Sequence, residues 1–443
     1  MRVRLNVVLD KLTGNFWFIP SVMTLGAIVL AAGAVAFDQS DYGEWLRRDA
    51  WRDRLQIDNA QLIVSTIAGS MITVTSLVFS LTLIALTLAS QQLGPRLLSV
   101  FMRDRITQVV LGLFVATFLY SLLVLAALSE IENGLATPVF SIAMALLLTV
   151  VSVAFLISFI HHLASSMQAD TMIERMSADL SRQVKRLFPP RTDGANDEQK
   201  EQITREKQLE DAIDICAESS GYLQTIDVSY LLERACAKDL EIVLFGRVGD
   251  FICKGEALAS VSPKQNSSDE VCEELLAAIV LGRTRTPVQD LEFAMSAIVE
   301  IAVRALSPGV NDPYTAVTCI DRLGDTLSKI LQRGPTVSRH ADRNGHVRVT
   351  TPSVSFDDVM GMAFNEIRQS AKDNVSVTLR LLDTLARLAR FAQTPPTMTA
   401  IRRHAEMVER SARQHIVEPH DLEDVARRVS RLNGLLADAV TPR

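Results

Sequence analysis

The stretch "LIVSTIAGSMITVTSLVFSLTLIALTL", Leu62–Leu88, contains no Asp, Glu, Lys, Arg or His. As a helix rising about 1.5 Å per residue it is longer than the roughly 30 Å hydrocarbon core of a bilayer. A helix on a soluble protein keeps a charged or polar face, and this one carries no charge on any side. Three further runs are equally uncharged: Phe16–Phe37, Ile106–Leu128 and Pro138–Ile160. Apolar residues make up 48% of the 443-residue chain, with a mean hydropathy of +0.19, and the excess lies in this first third. The fold class that follows is mainly α. A four-helix transmembrane domain precedes an α+β cytoplasmic domain with a small β-module and a helical C-terminal part. The boundaries read as 1–165 for the transmembrane domain (spans near 16–37, 62–88, 106–128 and 138–160) and 166–200 for a helical extension and linker. A small mixed α/β module at 201–265 and a helical domain at 266–443 follow.

The second span is also rich in hydroxyls. Thr66, Ser70, Thr73, Ser76, Ser80 and Thr87 are spaced by 4, 3, 3, 4 and 7 residues, which keeps them on one helix face. One reading is helix–helix packing, because small polar residues allow close approach and bond across helices or to their own backbone. The other is a wet, pore-lining stripe. One such helix per subunit cannot enclose a pore, so that reading requires a homo-oligomer. No ionisable residue lies inside any span, which argues against a proton relay or charge-driven pump.

Orientation follows from Lys and Arg near the span ends. Arg2, Arg4 and Lys11 precede the first span, Arg96, Arg103 and Arg105 lie between the second and third, and Arg175, Arg182, Lys185, Arg186 and Arg191 follow the fourth. The third-to-fourth connection, "SEIENGLATP", has neither Lys nor Arg. The first-to-second connection is mixed, with four Arg offset by six acids. The pattern places the N-terminus and the C-terminal domain on the cytoplasmic side of the membrane. A basic start followed by an apolar run and "AVA" at Ala34–Ala36 also fits a cleavable signal peptide, which would remove one span without moving the C-terminal domain. Between the second and third spans, Gly94-Pro95 breaks the helix. "LLSVFMRD" then reads as an interfacial segment, with Arg96, Arg103 and Arg105 towards headgroups, serving as an anchor or a coupling elbow.

The net charge of −6 gives no footprint for nucleic acid, which needs clustered cations. Five cysteines (Cys216, Cys236, Cys253, Cys272, Cys319) show neither CxxC nor metal spacing, and scattered free thiols suit a reducing compartment. His161 and His162 end the fourth span as adjacent residues pointing about 100° apart, with no further ligand near. His404, His415 and His420 read as solvated or satisfied helical histidines. No phosphate loop, nucleophile elbow or metal motif occurs, so no cofactor, metal or catalytic set is expected.

After the linker, "GYLQTID" reads as a strand and "VSYLLERACAK" as a helix capped by Asp227. "DLEIVLFGRVGDFICKGEALASV" reads as three strands, and "SSDEVCEELLAAIVLG" as one helix opened by Ser267 or Ser268. "VGDFICKGEALASV" is similar to the recurring hairpin of lipoyl and biotinyl domains. Their modified lysine sits between hydrophobic neighbours, whereas Lys254 has Cys253 and Gly255, so no carrier role transfers. Phe293, Ala297, Ile298, Ile301, Ala302 and Ala305 mark a buried helix. Asn344-Gly345 marks a hairpin near 338–350, and Phe356–Asp438 reads as amphipathic helices.

"RALSPGVNDPYTA", Arg304–Ala316, joins two of the helices. Ser307-Pro308-Gly309 turns the chain, Asp312 caps the next helix and Pro313 takes its first position. The stretch is a helix–turn–helix corner or a functional loop carried by Ser307, Asn311 and Asp312. Together, the four spans, "VGDFICKGEALASV", "QDLEFAMSAIVEIAVRALSPGVNDPYTA" and the helical C-terminus resemble a family of bacterial predicted membrane proteins of unknown function. The resemblance implies a bacterial inner-membrane location and this architecture, and transfers no site. Three functional readings stay open. The first is a homo-oligomeric channel or permeation pathway for ions or small solutes, lined by the second span and gated or assembled by the cytoplasmic domain. The second is a non-transporting sensor or scaffold. The third is a membrane-anchored enzyme using Asn311 and Asp312, with Asp290 from the preceding helix.

Overall fold

The computed structural model describes residues 16–40, 57–93, 104–130, 139–166, 168–188, 211–286, 289–334 and 338–438. The chain divides into two compact units, Met1–Thr171 and Met172–Arg443.

The first unit contains four helices long and apolar enough to cross a membrane: α1 (Phe18–Gln39), α2 (Ile57–Leu93), α3 (Arg105–Glu130) and α4 (Val139–Ser166). α3 is the central helix, and each of the other three packs against it. Val110, Phe114, Tyr120, Val124 and Leu128 of α3 are fully or almost fully buried, whereas large apolar side chains of α1, α2 and α4 face outwards. Such an outer surface would be untenable in water over this area and is what lipid requires. Close approach of α1 to α3 depends on Gly112, where a Cβ would lie 2.7 Å from the Met23 sulfur and 3.1 Å from the Pro20 Cα. Small residues at helix crossings do this work in membranes, where no hydrophobic drive pulls helices together.

The second unit begins with α5 (Ala169–Leu187), whose Ile173, Leu180 and Val184 are fully buried. Arg333 donates to the carbonyls of Phe188 (2.5 Å) and Lys185 (3.2 Å). Lys329 reaches Ser181 at 3.0 Å, so the end of α5 is held by a later helix. Strands β1 (Ile213–Cys216), β2 (Gly221–Ile226), β3 (Glu241–Leu244), β4 (Phe251–Ile252), β5 (Ala257–Ser262), β6 (Ile279–Gly282), β7 (Arg339–Ala341) and β8 (Val347–Thr350) form two sheets. One has the order β1-β5-β3-β8-β7 and the other β4-β2-β6. All pairs are antiparallel except β3–β8.

Three features differ from the sequence reading. "AIVLG" continues the apolar pattern of the helix before it, but α7 (Asp269–Leu276) stops and Ile279–Gly282 becomes the edge strand β6. β4 and β5 part into different sheets, so they form no hairpin of the lipoyl type. The hairpin at Asn344-Gly345 forms as β7–β8, with Gly345 at φ 84°, yet it joins β3 in the larger sheet and so draws the β-region well past residue 265.

α6 (Val228–Lys238) and α7 cover the sheets. The remaining helices, α8 (Leu291–Ala305), α9 (Pro313–Arg333), α10 (Phe356–Ser370), α11 (Val375–Ala389), α12 (Pro395–His415) and α13 (Pro419–Asp438), pack on one another. Ile298, Leu323, Leu327, Ile367, Leu381 and Ile401 are among the buried side chains of these helices. Six of the eight helices α6–α13 start at an Asp, Ser or Asn whose side chain accepts a backbone N–H: Asp227, Ser268, Asp290, Asp312, Ser355 and Asn374. Ser355 and Asp358 form a full capping box on α10.

Candidate functional site

On α2 the two faces separate cleanly. Ala60, Val64, Ile67, Met71 and Val78 are buried against the rest of the membrane unit. Thr66, Ser70, Thr73, Ser76, Ser80 and Thr87 are all exposed. Among the described residues, therefore, nothing packs against the hydroxyl face. Three of its members bond their own backbone: Thr66 donates to Leu62 O (2.6 Å), Thr73 to Gly69 O (2.9 Å) and Thr87 to Leu83 O (2.8 Å). Gly69 and Ser65 widen the exposed strip of small side chains.

The membrane unit is pinned at both ends by carboxylates, which a search for charge inside the spans overlooks. Asp38, at the end of α1, accepts the backbone N–H groups of Phe140 (3.0 Å) and Ser141 (2.9 Å) and the Ser141 hydroxyl (2.7 Å). It thus caps α4 from another helix, beside the Phe37–Phe140 ring pair. The Tyr120 hydroxyl donates to Ser141 O at 3.1 Å. At the opposite end Asp104 caps α3 by accepting from Thr107 N and Oγ1, and its Oδ2 lies 2.9 Å from His162 Nε2. His162 thus ties the end of α4 to the start of α3. Arg105 is exposed at the first turn of α3. Arg96 and Arg103, with the proposed elbow, lie outside the described residues.

In the Arg304–Ala316 stretch the Ser307 and Asp312 side chains both have hydrogen-bond partners, and Asn311 is exposed. Ser307 Oγ donates to Arg304 O (2.7 Å). Asp312 accepts from Tyr314 N, Thr315 N and the Thr315 hydroxyl (2.6 Å). The Thr315 hydroxyl is the main reason its carboxyl sits below the usual carboxylate range, with the two backbone bonds assisting against partial burial. Asn311 takes φ 50°, a left-handed position that Asn tolerates. Val310 and Tyr314 stand out into solvent, Tyr314 at 82% exposure. Asp290 is at the far end of α8, about 22 Å away by the length of that helix. There it caps α8 through Phe293 N and forms a two-pronged ion pair with Arg285 (2.7 and 2.8 Å). The loop and Asp290 thus do not form one site. Among the described residues, no group of three or more His, Cys, Asp or Glu could hold a metal ion.

Comparison with known proteins gives a consistent picture. Residues 13–387 match the family described as "Predicted membrane protein (DUF2254)". Uncharacterized proteins of Mycobacterium bovis and Mycobacterium tuberculosis are 33% identical to the chain over 436 residues, spanning 94% of it and 80% of each relative. No solved structure matches.

Proposed function

Since the chain belongs to the DUF2254 family of predicted membrane proteins, we propose that it is a bacterial inner-membrane protein that assembles with copies of itself through the hydroxyl face of α2. In this assembly the α2 faces line a pathway for ions or small solutes. The C-terminal unit, on the cytoplasmic side, gates or assembles it. One observation carries the reading: six hydroxyl side chains share one face of a membrane-length helix and are all exposed in the isolated chain. Facing lipid, that face would forgo the packing and cross-helix bonding that small polar residues contribute. Against a second copy it would recover both, and against water its hydroxyls would be solvated.

The deciding experiment measures the mass of the detergent-solubilised protein and its conductance in planar bilayers. An oligomer that conducts supports the pathway, and a monomer rules it out. A second reading, a non-conducting scaffold or sensor, is favoured by the backbone bonds of Thr66, Thr73 and Thr87, which satisfy those hydroxyls in a dry helix contact. An oligomer that stays silent across voltage and membrane tension selects it.

A further inference from the structure

α12 packs against α10, α11 and α13, and His404 lies near the midpoint of its 21 residues. His415 and His420 of the same region are exposed, whereas His404 is only 2% exposed. Its Nε2 is buried without a hydrogen-bond partner. Asp357 Oδ1, from the first turn of α10, lies 3.7 Å away, beyond hydrogen-bond reach. The other oxygen of Asp357 is held by Arg403 at 2.7 Å. A titratable ring is thus sealed into a helix–helix contact, beside a carboxylate that is already engaged.

Three charges act on the ring: Asp357 and Arg368 from α10, and Arg403 from α12 itself. Charges on the other helices around it have partners of their own. Arg380 and Arg387 of α11 pair with Asp321 of α9, Asp383 of α11 with Arg428 of α13, and Asp424 with Arg427. Further along α12, Arg410 and Arg413 pair with Glu406 and Glu409. Around His404 one carboxylate therefore answers two guanidinium groups, and an imidazolium would add a third positive charge out of reach of water. Burial first, then Arg403 and Arg368, push His404 down to about 4 against the pull of Asp357. The ring is neutral at pH 7. It regains its ordinary affinity for a proton, near 6.5, only by reaching water, and that requires α12 to lift from α10. Because the sealed value is the depressed one, the opened form binds the proton first. Acid therefore favours opening progressively from the ordinary value down to the sealed one.

We propose that the α10–α12 contact is an acid-sensitive latch in the second unit: neutral His404 keeps it shut, and proton uptake at His404 drives the two helices apart. The test is hydrogen exchange read by mass spectrometry on the full chain in phosphatidylcholine nanodiscs, with rates corrected for the intrinsic effect of pH. The amides of α10 and α12 should open about twentyfold more at pH 5 than at pH 7, while those of the β1–β5 pair stay as protected as before. His404→Gln, which cannot take up the proton, should abolish the difference whatever it does to overall stability. Arg368→Gln, which removes one of the two repelling guanidinium groups, should shrink it. His340 on β7 is also held down by burial, but its release would free the β7–β8 hairpin, which exchange resolves separately. Equal protection of α10 and α12 at the two pH values in the native chain would overturn the proposal. So would an acid response that survives His404→Gln, or a loss of protection spread evenly over the second unit.

Discussion

Asp312 shows how a residue that looks chemical can be spent on the backbone. Both carboxylate oxygens are engaged by Tyr314 and Thr315, so Asp312→Ala should destabilise the second unit by about 1 kcal/mol, the usual cost of a lost N-cap. Asp312→Asn, which keeps one acceptor, should lose less; melting of the purified variants measures both. Because its folded carboxyl titrates below the ordinary value, its contribution is fully present above the unfolded carboxylate pKa and is lost as pH falls through the folded one. The stability gap between the native chain and Asp312→Ala should therefore close on acidification and stay constant around neutrality. Gly249 makes a sharper residue-scale case. It sits at φ 106°, and a Cβ there would lie 2.5 Å from Asp290 Oδ2 and 2.7 Å from Arg285 Nη2. Gly249→Ala should cost about 1–3 kcal/mol through left-handed strain alone and should also loosen the Arg285–Asp290 pair that caps α8. A variant melting with the native chain would refute that account.

Among the elements, α2 holds the strongest expectation. In a background stripped of the native cysteines, Ser70→Cys and Thr73→Cys should react with water-soluble thiol reagents if the face lines a wet path, and should resist them if it is a dry contact. Met71→Cys, on the buried face, should resist in either case and supplies the control. Gly112→Leu should separate α1 from α3 and lower the stability of the membrane unit, because the Met23 and Pro20 atoms leave no room for a side chain. How legible these elements were depended on whether their cause is local. The spans could be read because absence of charge over a membrane thickness has one physical meaning. The starts of α6 and α9 could be read because Asp227 and Asp312 cap within three residues of themselves. β6 was hidden because Ile279–Gly282 is apolar in a pattern a helix would share, and only pairing with β2 decides it. β1 is similarly short and is recruited by β5. Asp38 owes its role to partners on another helix, over a hundred residues away, so no local pattern reveals it.

At the scale of the whole molecule the open question is which side of the membrane each part occupies. Arg and Lys flank the start of the first span, the second-to-third connection and the stretch after the fourth span, while the third-to-fourth connection has none. Four spans would return the chain to the side on which it began, so these basic flanks agree with one another, and the proposed topology, in which they face the cytoplasm, rests on the positive-inside tendency. The helix ends fit that assignment without deciding it: Asp104 and His162 meet at the basic end of the unit, and Asp38 caps α4 at the other. The second unit carries its own reporters. Cys216, Cys236 and Cys253 are free and exposed, and Cys319 is buried. A membrane-impermeant maleimide should therefore leave right-side-out vesicles unlabelled and label inside-out vesicles at the three exposed thiols, with Cys319 reacting only after denaturation. Labelling of right-side-out vesicles would invert the topology. A gate formed by the second unit would then face outwards, and the basic flanks would need an explanation other than the positive-inside tendency.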